Sequence, residues 1–142
     1  MPGEFAARKL ASDRQRFNWK DIYYVKEMRR KAGRTTDPLE GSPQGKGIVI
    51  EKTNREQKQP HSGLIKCVRV QLLKNGKLIT AHAPRDKAIT KIDEHDEVTV
   101  EGLGGSQAGA VGSMWGVKYK VIMVNGVSLD MVRRGKKEKP RR

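Results

Sequence analysis

The chain has 142 residues, of which 30 are Lys or Arg and 16 are Asp or Glu, giving a formal net charge of +14. That is the length of one ordinary domain with tails, and the charge points to nucleic acid, where phosphate contacts supply most of the affinity. No membrane partner is expected: no apolar run approaches the roughly 20 residues of a span, and neither a lipidation signal nor a signal-peptide core following Met1 is read. The single cysteine, Cys67, permits no internal disulfide and fits a cytoplasmic setting.

The charge is uneven, and this sets the expected boundaries. Residues 1–46 carry 11 cations and 6 anions, residues 47–132 carry 12 and 9, and residues 133–142 carry 7 and 1. A nearly balanced globular piece over 47–132 is therefore expected between a basic N-terminal extension, 1–46, and a basic C-terminal tail, 133–142. Blocks of like charge seldom pack into cores, so both ends are expected to be disordered in the free protein and ordered on RNA.

In chain order, Ser12 followed by Gln15 predicts a capping box, and residues 13–32 a helix stopped at Gly33. Its apolar residues Trp19, Ile22, Val25 and Met28 share a face among many cations. Residues 34–46, rich in Thr, Pro, Gly and Ser, read as a linker. From Gly47 the period changes to two. Strands are predicted at 47–52, 67–73, 77–83, 97–104 and 117–124, with Val127 to Val132 a sixth short strand or a helical turn. In 67–73, Val68, Val70 and Leu72 face one way, and Cys67, Arg69 and Gln71 the other. In 117–124, Val117, Tyr119, Val121 and Met123 share a face opposite Lys118 and Lys120. Asn75-Gly76 and Asn125-Gly126 are hairpin signals, and residues 88–96 a short turn or helical piece. The fold class predicted is mainly β: a small five-stranded barrel of oligonucleotide-binding (OB) type, with a basic, partly helical N-terminal extension and a basic tail. A sandwich of similar strands is the alternative.

No catalytic constellation and no cofactor site emerge. The spacings of His61, His82, His95 and Cys67 match no zinc signature, so no metal site is expected. Cys67 reads as a packed small side chain, and the DEHDE run at 93–97 as a solvated turn that balances nearby cations. A hydrolase built on that run is a rival reading that amide substitutions would test. The GLGG run at 102–105 lacks the rest of a dinucleotide fingerprint.

The binding features are better developed. Lys58, Gln59, Pro60, His61, Ser62 and Gly63 predict a stiff polar tip, because proline fixes its own φ and extends the residue before it. Lys58 and Lys66 place a cation at either end. A second proline-started loop holds Pro84, Arg85, Asp86 and Lys87, while Arg69, Lys118 and Lys120 project from strands. Aromatics are scarce, at 5 %, which favours a reader of folded RNA shape and phosphate over serial base stacking.

These residues resemble a known family. The runs KQPHSGLIKCVRVQLLKNGKLITA (58–81), DEHDEVTVEGLGG (93–105), GVKYKV (116–121), NGVSL (125–129) and RRGKKEKPRR (133–142) are similar to the universal decoding-centre protein of the small ribosomal subunit, the twelfth in bacterial numbering. FAARKL (5–10) and DPLEG (37–41) place the likeness in its archaeal and eukaryotic branch. The resemblance implies a non-enzymatic ribosomal protein with an OB barrel, an extension threaded through small-subunit ribosomal RNA, and neighbouring ribosomal proteins as partners. It also implies two loops facing tRNA and mRNA at the aminoacyl-tRNA site, with a contribution to translational accuracy. Lys58, Gln59, Pro60 and Ser62 match the family's first loop, where His61 stands for asparagine, Gly63 for alanine and Ile65 for arginine. Arg85 and Lys87 stand where the second loop commonly has glycine, and Ser113-Met114-Trp115 where aspartate, an aliphatic residue and proline are usual. A diverged RNA-binding module working off the ribosome is the alternative these departures motivate.

Overall fold

The structure, a computed structural model, describes residues 3–34 and 37–141. The chain divides into two compact units, one ending at Glu40 and the other beginning at Gly41.

The first unit holds two helices, α1 (Ala7–Asn18) and α2 (Ile22–Lys31). This corrects the single helix expected over 13–32. The chain tightens after α1 through Lys20 N to Phe17 O and Asp21 N to Asn18 O. Asp21 then turns extended, and its carboxylate accepts from Tyr23 N at 3.0 Å to cap α2. Asp is a strong N-cap because its side chain satisfies an orphan amide of the first turn. Ser12 lies inside α1, whose N-cap, Ala6, makes no side-chain bond, so the Ser12–Gln15 box opens no helix. Neither helix has a buried residue. Trp19 meets Tyr24 edge to face at 5.5 Å, but Phe17, Ile22 and Tyr23 remain exposed.

The second unit is mainly β. Its strands are β1 (Gln44–Glu56), β2 (Leu64–Leu72), β3 (Leu78–His82), β4 (Glu97–Gly102), β5 (Tyr119–Val124) and β6 (Val127–Ser128), followed by a short helix, α3 (Leu129–Arg133). All five expected strands form, and the segment from Val127 supplies both a short strand and a helical turn. The sheet order is β3-β2-β1-β4-β5-β6, with neighbours antiparallel and a further parallel pairing of β3 with β5 through Ala81–Tyr119 and His82–Lys120. The ladders thus run in a ring, β1-β2-β3-β5-β4 and back to β1.

Alternation explains most of the core. Val68, Val70 and Leu72 of β2 are buried, as are Val98 and Val100 of β4, while Gln71 is exposed and Arg69 half-buried. Two register slips modify the pattern. In β1 the partners jump from Val49–Val70 to Glu51–Arg69, and Ile50 is left exposed. Between β4 and β5 they jump from Thr99–Met123 to Val100–Val121. A slip of one residue reverses every later side chain. Val121 and Val124 are consequently the buried pair, and Met123, expected to share a face with Val121, is half-buried. Cys67 is the packed small side chain expected: although it alternates with Val68, it is fully buried, packed with Ile65 and Val117 against Leu103 and Met114. Both faces of β2 are thus covered at its start.

The turns follow from their residues. Asn125 and Gly126 both take positive φ, 49° and 82°, the pair of conformations a tight hairpin needs. Gly47 serves close approach instead: a Cβ there would lie 2.7 Å from the Gln71 carbonyl oxygen across the ladder.

Candidate nucleic-acid interface

The first loop leaves β1 at Glu56 and returns into β2 at Leu64. Its neck is closed by Gln57 N donating to Gly63 O at 3.0 Å, and His61 N donates to Lys58 O at 2.9 Å. Every residue from Lys58 to Gly63 is exposed, and the Gln59–Pro60 peptide is cis. The polar tip read from the sequence is therefore a short projection with its backbone satisfied at the base. A second brace was not legible from sequence spacing. Gln57 Nε2 donates to Ser113 Oγ at 3.2 Å, and the Trp115 indole Nε1 donates to Glu56 O at 2.8 Å. The glycine-rich loop between β4 and β5 thereby fastens the neck of the first loop from 56 and 59 residues away.

The second loop begins where β3 ends. Ala83 N donates to Lys66 O at 3.1 Å, and His82 Nδ1 bonds the same carbonyl at 3.2 Å, which fixes the proton on Nδ1. Lys66 follows the first loop closely, so both loops leave one end of the β2–β3 ladder. Burial lowers the His82 pKa against the opposing pull of the Lys66 carbonyl, which favours the neutral ring. Arg85 and Lys87 hold left-handed backbone, φ 68° and 62°, a conformation that glycine adopts at less cost. Arg85 reaches Asp130 at 3.7 Å, where Arg133 (2.9 Å) and Arg134 (3.2 Å) converge on the same carboxylate. The Arg133 hydrogen bond leads the causes that hold the Asp130 pKa below its usual value. Three guanidiniums around one carboxylate leave a net positive group beside Lys87.

The strand cations divide. Arg69 faces Glu51 across the ladder at 3.7 Å, and Lys120 faces Glu101 at 3.1 Å. Lys58, Lys66, Lys87 and Lys118 are exposed and make no ion pair with a described residue. Both members of the Lys120–Glu101 pair are half-buried, and Arg69 is half-buried opposite an exposed Glu51.

The acidic turn at 93–97 balances cations, as expected. Lys139 of the tail bonds Asp93 and, at 2.8 Å, Asp96, while Lys52 stands 4.0 Å from Asp93. Asn125 Nδ2 donates to the Pro140 carbonyl at 3.0 Å and fixes the next residue of the tail. Burial works to raise the Asp96 pKa, but hydrogen bonds from Lys139, the Asp93 amide and Asn125, with the Lys139 charge, outweigh it and leave the pKa lowered. The tail is thus docked at 139–140, and residues 7–11 lie in α1, so neither end is without structure throughout. Arg142 falls outside the described residues. Among those residues, no three of His, Cys, Asp and Glu gather in a way that would hold a metal ion. Burial raises the Cys67 pKa against the nearby Arg55 charge, which suits a packed thiol and not a nucleophile. No helix among the described residues is long and apolar enough to cross a membrane.

Comparison with known families agrees with this basic surface. The family model for ribosomal protein S12/S23 matches residues 32–142, which takes in the whole β unit, both loops and the tail. The chain belongs to the ribosomal protein S12/S23 family, a structural, non-enzymatic family of the small ribosomal subunit that binds ribosomal RNA and serves translation.

Proposed function

We propose that this chain binds small-subunit ribosomal RNA at the decoding centre and contributes to translational accuracy at the aminoacyl-tRNA site. The ring of ladders is read as a five-stranded OB barrel to which β6 is an appendage. Residues 1–46 then form a basic extension, 47–132 the barrel and 133–142 a basic tail. The first loop carries this reading: six consecutive exposed residues on a hydrogen-bonded neck. Lys58 and Lys66 neutralise phosphates at its two ends. Gln59, His61 and Ser62 offer short donors and acceptors whose fit differs between a correct and an incorrect base-pair geometry. Arg85, Lys87, Lys118 and Arg69 extend the phosphate-binding surface, with Lys120 beside them. The partners are ribosomal RNA, neighbouring ribosomal proteins, tRNA and mRNA, and the setting is the cytoplasmic ribosome.

The test is cosedimentation with small subunits at moderate salt, followed by misreading of near-cognate codons on subunits reconstituted with His61→Ala. Stable cosedimentation and an altered error frequency are expected. A protein that binds RNA but never enters the subunit would instead be the diverged module working off the ribosome. The residues that favour this second reading are Arg85, Lys87 and the run Ser113-Met114-Trp115, where the chain departs from the family pattern.

A further inference from the structure

We propose that Trp115 is a stacking platform for an unpaired nucleobase of RNA, presented beside the first loop. The proposal deepens the RNA-binding reading above and rests on it. Trp115 is 58 % exposed, although burying so large a ring would be strongly favourable. The only other aromatic residue after Gly41 is Tyr119, which is half-buried in β5. Hydration of the indole N–H does not account for the exposure, because that group already donates to Glu56 O at 2.8 Å. What faces solvent is therefore apolar π surface.

The ring is also held in advance. On one side of it Met114 packs against Ile65, Cys67 and Val117, and Ser113 accepts from Gln57. With its edge bonded and its neighbours anchored, the side chain has little rotamer freedom left to lose on binding. Every nucleobase has a π face, so a fixed indole accepts any of them. The surrounding charge fits a nucleic acid better than an apolar peptide. Arg55 and Lys58 bracket the Glu56 attachment point, both are exposed, and neither makes an ion pair with a described residue. The ligand class is single-stranded RNA, with a base on the indole and its phosphates toward Lys58 and Arg55.

The chain has two tryptophans, so a Trp19→Phe background leaves Trp115 as the only indole fluorophore. Its emission would be titrated with oligoadenylate of about twelve nucleotides, a duplex RNA of equal length, and a small-subunit RNA fragment carrying the decoding helix. Quenching by oligoadenylate and not by the duplex is expected; quenching by neither overturns the proposal. Binding of full-length Trp115→Phe and Trp115→Leu separates stacking from loop fastening. The first keeps a ring and loses the N–H; the second loses the π surface as well. Stacking requires Phe to bind within about twofold of the parent and Leu about tenfold more weakly. Equal weakening, or no weakening, in both variants would reduce Trp115 to a fastener of the loop and overturn the proposal. Quenching by oligoadenylate without quenching by the ribosomal fragment would keep the platform and remove it from the decoding centre.

Discussion

Val70 and Val100 are fully buried, and each has a direct consequence for stability. Val100→Ala should lower unfolding free energy by about 2 kcal/mol, read from urea denaturation. Aspartate at either position buries an unpaired charge and should prevent folding; a soluble Val70→Asp protein with an unchanged melting temperature would contradict the register. Gly47→Ala makes a subtler demand. The added methyl meets the Gln71 carbonyl and the Val70 side chain, so overpacking should cost about 1–3 kcal/mol at a site that looks innocuous. Arg85 and Lys87 behave in the opposite sense. Replacing both by glycine relieves two left-handed backbone positions and should leave the melting temperature equal or higher. The same double change should reduce the salt slope of RNA binding by about two units, one per lost phosphate contact. An unchanged slope would show that neither side chain reaches RNA.

At the scale of elements, sequence periodicity was a reliable guide wherever one face of a strand is buried. It placed all five main strands and the inward valines of β2, because period-two alternation responds to a single covered face. It failed where the ladder slips. Nothing local to Val121-Ile122-Met123 announces that β4 takes its partners one residue out of step. The split helix was legible in part, since Asp21 is a strong cap, but the apolar spacing across Trp19 and Ile22 masked it. The exposed first loop was legible from proline and glycine. Its fastening by Ser113 and Trp115, and the pairing of Arg85 with Asp130, were not, because both are tertiary contacts across long stretches of chain. The docked tail adds a pH dependence. Asp96 has its pKa lowered from 3.8 on folding, so its contribution is fully present above the unfolded value. It is lost as pH falls through the lower folded value. The stability difference between the parent and Lys139→Met should therefore shrink on acidification below about pH 4, measured by denaturation across pH 2–6. A difference that held constant to pH 2 would contradict the Lys139–Asp96 linkage.

For the molecule as a whole, the two units differ in how they are held. The β unit has its own buried valine core, whereas α1 and α2 have 12 and 10 residues and bury none of them. Helices this short are marginal alone in water. A peptide of residues 1–40 should show little helicity by circular dichroism and gain it when small-subunit RNA is added; strong helicity in buffer alone would contradict this. The parallel seam between β3 and β5 bears on how the protein is made. During vectorial synthesis β1, β2 and β3 emerge before the other strands and can form a three-stranded meander. The outer edge of β3 has no partner until Tyr119 and Lys120 have left the tunnel, 38 residues after Ala81 and His82. Open edges recruit other chains, and β3, at five residues, offers a short template. That edge of the nascent meander is thus partly protected by its own brevity until the closing strand arrives.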